Sequence, residues 1–107
     1  MSPQLPYTIT YAPIIKEHLR SIDRKYYTLI RTTIQERLSY EPDEENRNRK
    51  PLKRTVFEVA TWELRFGQDN MFRVFYDIQS HDHDVHILAI GVKVRDRIFI
   101  GGEAIDL

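Results

Sequence analysis

The sequence predicts an α+β domain: a small antiparallel sheet of four to five strands with an N-terminal helical hairpin packed on one face. Three observations predict it. First, Trp62, Leu64 and Phe66 alternate with Glu63 and Arg65, and Phe72, Val74, Tyr76 and Ile78 alternate with Arg73 and Asp77. A period of two is the mark of strands with one face on a core. Second, Tyr27, Ile30, Ile34 and Leu38 recur at helical spacing. Third, short polar turns join the strands of the C-terminal half, so strands follow helices rather than alternating with them.

In chain order, Tyr7, Thr8, Ile9, Thr10 and Tyr11 are β-branched or aromatic and make a first strand. Pro13 suits the first position of a helix, where its missing N–H is no loss. Ile15, Leu19 and Ile22 follow at helical spacing, which gives a short amphipathic helix over residues 13–22. Asp23 is the N-cap expected for a second helix, with Arg31, Gln35 and Glu36 facing outward and Pro42 ending it. Residues 46–54 lack periodicity and contain Pro51, so they read as an exposed basic loop. Thr55, Val56, Phe57, Glu58 and Val59 alternate loosely and out of phase with Trp62, as a bulge near Ala60 and Thr61 or a loop edge would make them. The hairpin comes next, its loop formed by Gly67 and residues 68–70. Residues 80–84 form a second polar turn. Residues 85–92 are apolar on both parities except at His86, which describes a central strand covered on both faces. Ile98, Phe99 and Ile100 make a last short strand, and Gly101-Gly102 turns the chain into its tail.

The 107 residues, 41% of them hydrophobic, suit one domain over residues 1–107 with its own core. There are no cysteines, which removes disulfides and thiolate metal sites and fits a reducing cytoplasm. The first residues lack the charged and apolar blocks of a signal peptide, and no apolar run approaches membrane-spanning length. A cytoplasmic protein with no membrane partner is the expectation. Sixteen basic and sixteen acidic side chains cancel, so the basic excess usual for nucleic-acid binders is missing globally. Locally the sign flips. Glu41, Asp43, Glu44 and Glu45 precede Arg47, Arg49, Lys50, Lys53 and Arg54.

The β-α-α-β-β-β order is joined by four short motifs. Lys-Pro-Leu-Lys (50–53) precedes Trp-Glu-Leu-Arg-Phe-Gly (62–67). Phe-Arg-Val-Phe-Tyr-Asp (72–77) and Ile-Leu-Ala-Ile-Gly (87–91) follow. In combination these resemble the RelE/ParE toxin superfamily of bacterial type II toxin–antitoxin modules. The resemblance runs from Tyr7 to about Ile100. It implies a toxin held by a cognate antitoxin protein and acting without cofactor or metal. RelE-type members cleave mRNA on the ribosome; the alternative is a ParE-type poison of DNA gyrase, or a decayed toxin that only binds its antitoxin. In the cleaving members the substrate's 2′-hydroxyl attacks the adjacent phosphate, which calls for a base, a proton donor and preorganised positive charge.

By the same resemblance, Arg73 matches the family's catalytic arginine and Lys93 its second functional cation, with Arg95 as a nearby alternative. Lys50 and Lys53, with Arg54 beside them, match a basic RNA-binding segment. The chain departs from the pattern at Glu63, where the best-known nucleases carry lysine, and at Phe99, where they carry a catalytic tyrosine. Each residue also has a plainer reading. Arg65 and Arg73 could pair with Glu63 and Asp77 as ordinary cross-strand ion pairs, each contributing roughly 0.2–1 kcal/mol. His81, His83 and His86, which Asp82 and Asp84 could join, invite a metal reading because His-x-His on a strand puts both rings on one side, yet a polar turn accounts for the cluster without metal. His86, on a strand and titrating near neutrality, is a candidate acid or base.

Overall fold

The computed structural model describes residues 5–53 and 59–105. Arg54 and most of the loosely alternating stretch after it, residues 55–58, lie outside the described residues. The elements are β1 (Thr8–Tyr11), α1 (Ile15–Arg20), α2 (Tyr27–Leu38), β2 (Arg49–Pro51), β3 (Trp62–Phe66), β4 (Phe72–Gln79), β5 (Asp84–Val94), β6 (Arg97–Ile100) and β7 (Glu103–Ile105). Strands β2 to β7 pair antiparallel in sequence order, and β1 joins β5 in parallel. The fold class is the one expected, with seven strands among the described residues in place of four to five. The two unexpected strands come from segments read as irregular. Arg49, Lys50 and Pro51 pair with Leu64, Glu63 and Trp62, so the basic connection contains an edge strand, where a terminal proline is tolerated. The tail pairs back through Gly101 and Gly102, both at positive φ as a two-residue hairpin requires.

The helices form where their apolar stripes fall. Ile30, Ile34 and Leu38 of α2 are buried, and Arg31, Gln35 and Glu36 are exposed. Asp23 caps as expected, its carboxylate accepting from the Lys25 N–H at 3.0 Å, but it caps a 3-10 turn that leads into α2. The first helix is shorter than residues 13–22: Pro13 and Ile14 form a turn ahead of it. Among the described residues no helix is long and apolar enough to cross a membrane.

The sheet carries a core on each face. Under the helices lie Leu64, Phe66, Phe72, Val74, Tyr76, Val85, Ile87 and Ile90. On the opposite face Phe75, Ala60, Ala89, Ile98 and Ile100 form a smaller cluster. A bulge lets β5 serve both. Phe75 stands opposite Ala89 and Tyr76 opposite Ile87, so Leu88 is an extra residue. Val85 and Ile87 before it, and Ile90 and Val92 after it, therefore all face the helices. This is the physical reason for apolar residues on both parities.

The outer edge of β5 is shared. β1 covers residues 84–87 and β6 covers residues 91–94. At the junction the Ile90 N–H donates to Nδ1 of His18, a buried residue of α1, at 3.3 Å. A buried amide without such a partner is costly, so the imidazole completes the sheet where neither strand reaches.

Two long-range anchors fix the segment between α2 and β2. Arg49, counted among the loop cations, is buried. Its guanidinium donates to the Arg37 carbonyl at the end of α2 (3.0 Å) and to the Glu44 carbonyl (2.9 Å). The Tyr76 hydroxyl, fully buried, donates to the Pro42 carbonyl at 2.6 Å. Burial pushes the Tyr76 phenol well above its ordinary range, opposed by Arg49 and assisted by Asp43. A phenol whose folded pKa is raised stabilises the fold below the unfolded pKa of about 10 and loses that contribution as pH climbs past it. Unfolding followed by circular dichroism should show stability declining above about pH 10. Tyr76→Phe should flatten that decline.

Candidate anion-binding face

The face of the sheet away from the helices gathers most of the charged residues singled out in the sequence. Directly paired residues on antiparallel strands project to the same side. Arg65 on β3 stands opposite Arg73 on β4, and Arg73 opposite Gly91 on β5. One row toward the β2 end of the site, Lys50 stands opposite Glu63, and Glu63 opposite Phe75. One row the other way, Lys93 on β5 lies beside Met71, whose carbonyl accepts the Lys93 N–H at 2.6 Å. Arg65, Arg73 and Lys93 thus form a diagonal across three strands, with Lys50 at its edge.

Gly91 is required at the middle of this face. A Cβ there would sit 2.9 Å from the Phe99 carbonyl and 3.0 Å from the Ile100 side chain. Its absence lets β6 close against β5 beside Arg73.

Glu63 organises the cations. One carboxylate oxygen, Oε1, accepts from Arg65 Nε and from Arg73 Nη1, each at 2.8 Å. The Glu63 and Arg73 side chains are 7% and 6% exposed, whereas that of Arg65 is 38% exposed. Arg73 also donates from Nε to the Asn70 carbonyl at 3.1 Å. Burial lowers the Arg73 pKa from its ordinary value, and the charge and hydrogen bond of Glu63 oppose that shift; a guanidinium stays charged regardless. Asp77 does not join them: it accepts from Thr61 and Gln79 instead.

The hairpin loop that carries Asn70 is held by Asn48, which sequence reasoning missed. Its side-chain amide donates to the Arg65 carbonyl (3.1 Å) and to Asn70 Oδ1 (3.2 Å), while its carbonyl accepts from the Arg65 N–H. Asp69 and Asn70 both sit at positive φ, which asparagine and aspartate tolerate best after glycine. A faint signal was available: Asn46 and Asn48 flank Arg47 in a stretch otherwise read only for its charge.

The other sequence-selected residues divide. Lys93 and Arg95 line a cavity of about 400 Å3 with Gln68, Asp69 and Met71, at the end of the sheet next to the diagonal. Among the described residues, Lys50, Lys93 and Arg95 make no ion pair. Lys53 is exposed in the bend after β2 and belongs to no row. His86 lies on β5 opposite Asp77 and bonds Asp84 Oδ2 at 2.6 Å. It is four β4 positions from Arg73, about 13 Å at some 3.3 Å per residue, so the structure does not bring it to the arginines. His83 stacks on Tyr7 with ring centroids 3.8 Å apart. Phe99 pairs with Val92 on the helix side, and Ile98 and Ile100 are the β6 residues that face the charged side. The position matched to a catalytic tyrosine therefore points away from Arg73.

Chemically, this face can hold an oxyanion between two arginines, extend it along Lys93 and Arg95, and compete for it with its own carboxylate. Neither a protein-family model nor a curated protein matches the chain. Among solved structures, it matches a chain of the toxin–antitoxin complex RelBE2 from Mycobacterium tuberculosis, with TM-score 0.68 and 24% identity over 87% of this chain and 98% of that one. At that identity the likeness speaks for architecture alone: this chain has the RelE-like toxin fold.

Proposed function

We propose that this protein is the toxin of a type II toxin–antitoxin system, that it cleaves mRNA on the ribosome as a metal-independent endoribonuclease, and that a cognate antitoxin protein neutralises it. The observation that carries the reading is the diagonal of Arg65, Arg73 and Lys93 on one face of a RelE-like sheet. Positive charge held on strands, close to where a phosphate would lie, is what a pentavalent phosphate needs. Lys93 and Arg95, exposed and in no ion pair among the described residues, would receive the phosphates flanking the scissile bond. Glu63 is the carboxylate nearest the arginines and the candidate to take the 2′-hydroxyl proton.

Induced expression should stop growth, and purified protein should cut transcripts in the presence of EDTA. Lys93→Ala should lower cleavage by about tenfold through weaker substrate binding, the scale of one lost charged contact. Because Lys93 is exposed, its unfolding midpoint should stay where it was. Intact transcripts in arrested cells would sink the nuclease reading.

A second reading has its own support. Ile98 and Ile100 offer no proton donor on the charged face, and Arg73 is already engaged by Glu63. A non-cleaving protein, whether a gyrase poison or one that only binds its antitoxin, accounts for both facts. Growth arrest with gyrase-linked DNA breaks and uncut mRNA would select the poison. An adjacent short reading frame for a helix-rich partner would support either version of the module.

A further inference from the structure

Glu63 occupies the place an oxyanion would take. Its Oε1 is bound by two guanidinium donors, Arg65 Nε and Arg73 Nη1, both at 2.8 Å, in a site where the carboxylate and Arg73 are almost wholly buried. A phosphate oxygen makes the same charge-assisted contacts to a guanidinium. A phosphate that takes Arg65 Nε and Arg73 Nη1 together must therefore displace this carboxylate. The displaced charge needs another partner. Lys50 stands directly across from Glu63 in the β2–β3 register, on the same face, and makes no ion pair among the described residues.

We infer that Arg65 and Arg73 form an oxyanion site closed by Glu63 as its resident ligand, and that a phosphate opens it by driving the Glu63 carboxylate onto Lys50. This rests on the proposed phosphate-handling role of the face and adds how access to Arg73 is controlled. In the closed state the triad of two arginines and one carboxylate carries a single net positive charge. In the open state both guanidinium groups meet the phosphate, and the new Glu63–Lys50 pair neutralises the charge left behind. Lys50 is then a positioning residue that acts through Glu63 and need not touch the substrate.

The experiment uses the full chain and two probes, inorganic phosphate and a 2′-O-methyl oligoribonucleotide that cannot be cleaved. Arginine Nε resonances are followed by NMR, and affinity is measured against salt. Phosphate should move the Arg65 and Arg73 Nε signals together. Glu63→Gln keeps an acceptor for the arginines but removes the competing charge. It should tighten oligonucleotide binding about tenfold, the scale of one charged hydrogen bond. The salt slope should stay as it was, because the same two guanidinium groups meet the same phosphate in both proteins. Lys50→Met, a change at a partly exposed edge position, should weaken binding about tenfold in the wild type and much less in the Glu63→Gln background.

Three results would overturn the inference: an Arg73 signal unmoved at saturating phosphate, a Glu63→Gln protein that binds no tighter, or an equal Lys50→Met effect in both backgrounds. Failure of the nuclease reading looks different. Both probes would bind by these rules while natural RNA stays uncut, which leaves the closed site standing.

Discussion

Phe75→Ala lowers the unfolding free energy by about 3–5 kcal/mol, measured by urea denaturation, and loosens the charged face at the same time. The stability loss is the usual cost of removing a phenyl ring from a site that cannot collapse. Phe75 is fully buried against Ala60, Ala89, Ile98 and Ile100. Its small neighbours cannot close over the hole. What sets this substitution apart is its register. Phe75 stands directly opposite Glu63 and two residues from Arg73 on the same face. The smaller core is therefore the floor on which the carboxylate and the arginines rest. Phe72→Ala provides the contrast. Phe72 is as buried, but it packs under the helices against Phe66 and Tyr26. It should cost a similar amount while leaving phosphate binding, measured below the melting transition, closer to wild type.

Breaking the buried pair from one side should be nearly as damaging. Glu63→Met leaves the Arg73 guanidinium buried without its counter-ion, and Arg73→Met leaves the carboxylate its partner Arg65. Stranding a buried charge costs about 3–5 kcal/mol, whereas replacing both members by apolar side chains is often neutral. Glu63→Met should therefore be severe, Arg73→Met milder because Arg65 still holds Glu63, and the double variant more stable than Glu63→Met alone. Thermal unfolding of the three variants checks the order. Additive losses in the double variant would mean that the two side chains act independently, and the closed-site inference would fall with the pair.

Much of this was legible in the sequence. Period-two alternation placed β3 and β4 to within a residue, and the stripe of Ile30, Ile34 and Leu38 placed α2 on the sheet. The four hairpin charges were assigned to one face correctly, and three of them meet. What escaped was set by tertiary context. Phe75 sits on the charged parity of β4, and treating that face as free overlooked the second core beneath it. Arg49 and its loop neighbours are alike in composition; only the carbonyls exposed at the end of α2 make one of them a buried anchor. β2 and β7 are three residues each, too short for any period to declare itself. Nothing in the sequence marks His18 as a structural residue, because its partner is a backbone amide 72 residues away. The bulge at Leu88 shifted a face in mid-strand, which a single run of apolar residues cannot reveal.

The divided edge of β5 has a consequence for how the molecule assembles. β1 has no sheet to join until β5 exists; the Thr10–Asp84 contact that accompanies their pairing closes a loop of 74 residues. α1 is tied to the same strand through His18. During synthesis the first strand and helix therefore wait, with their apolar side chains uncovered, while most of the remaining chain is made. Loop closure of that length is paid before any of its contacts form, which makes pairing of β1 with β5 a late and slow step. The diagonal of Arg65, Arg73 and Lys93 also depends on β5, so the charged face and the helical layer come into being together. A ribosome that stalls before β5 releases neither.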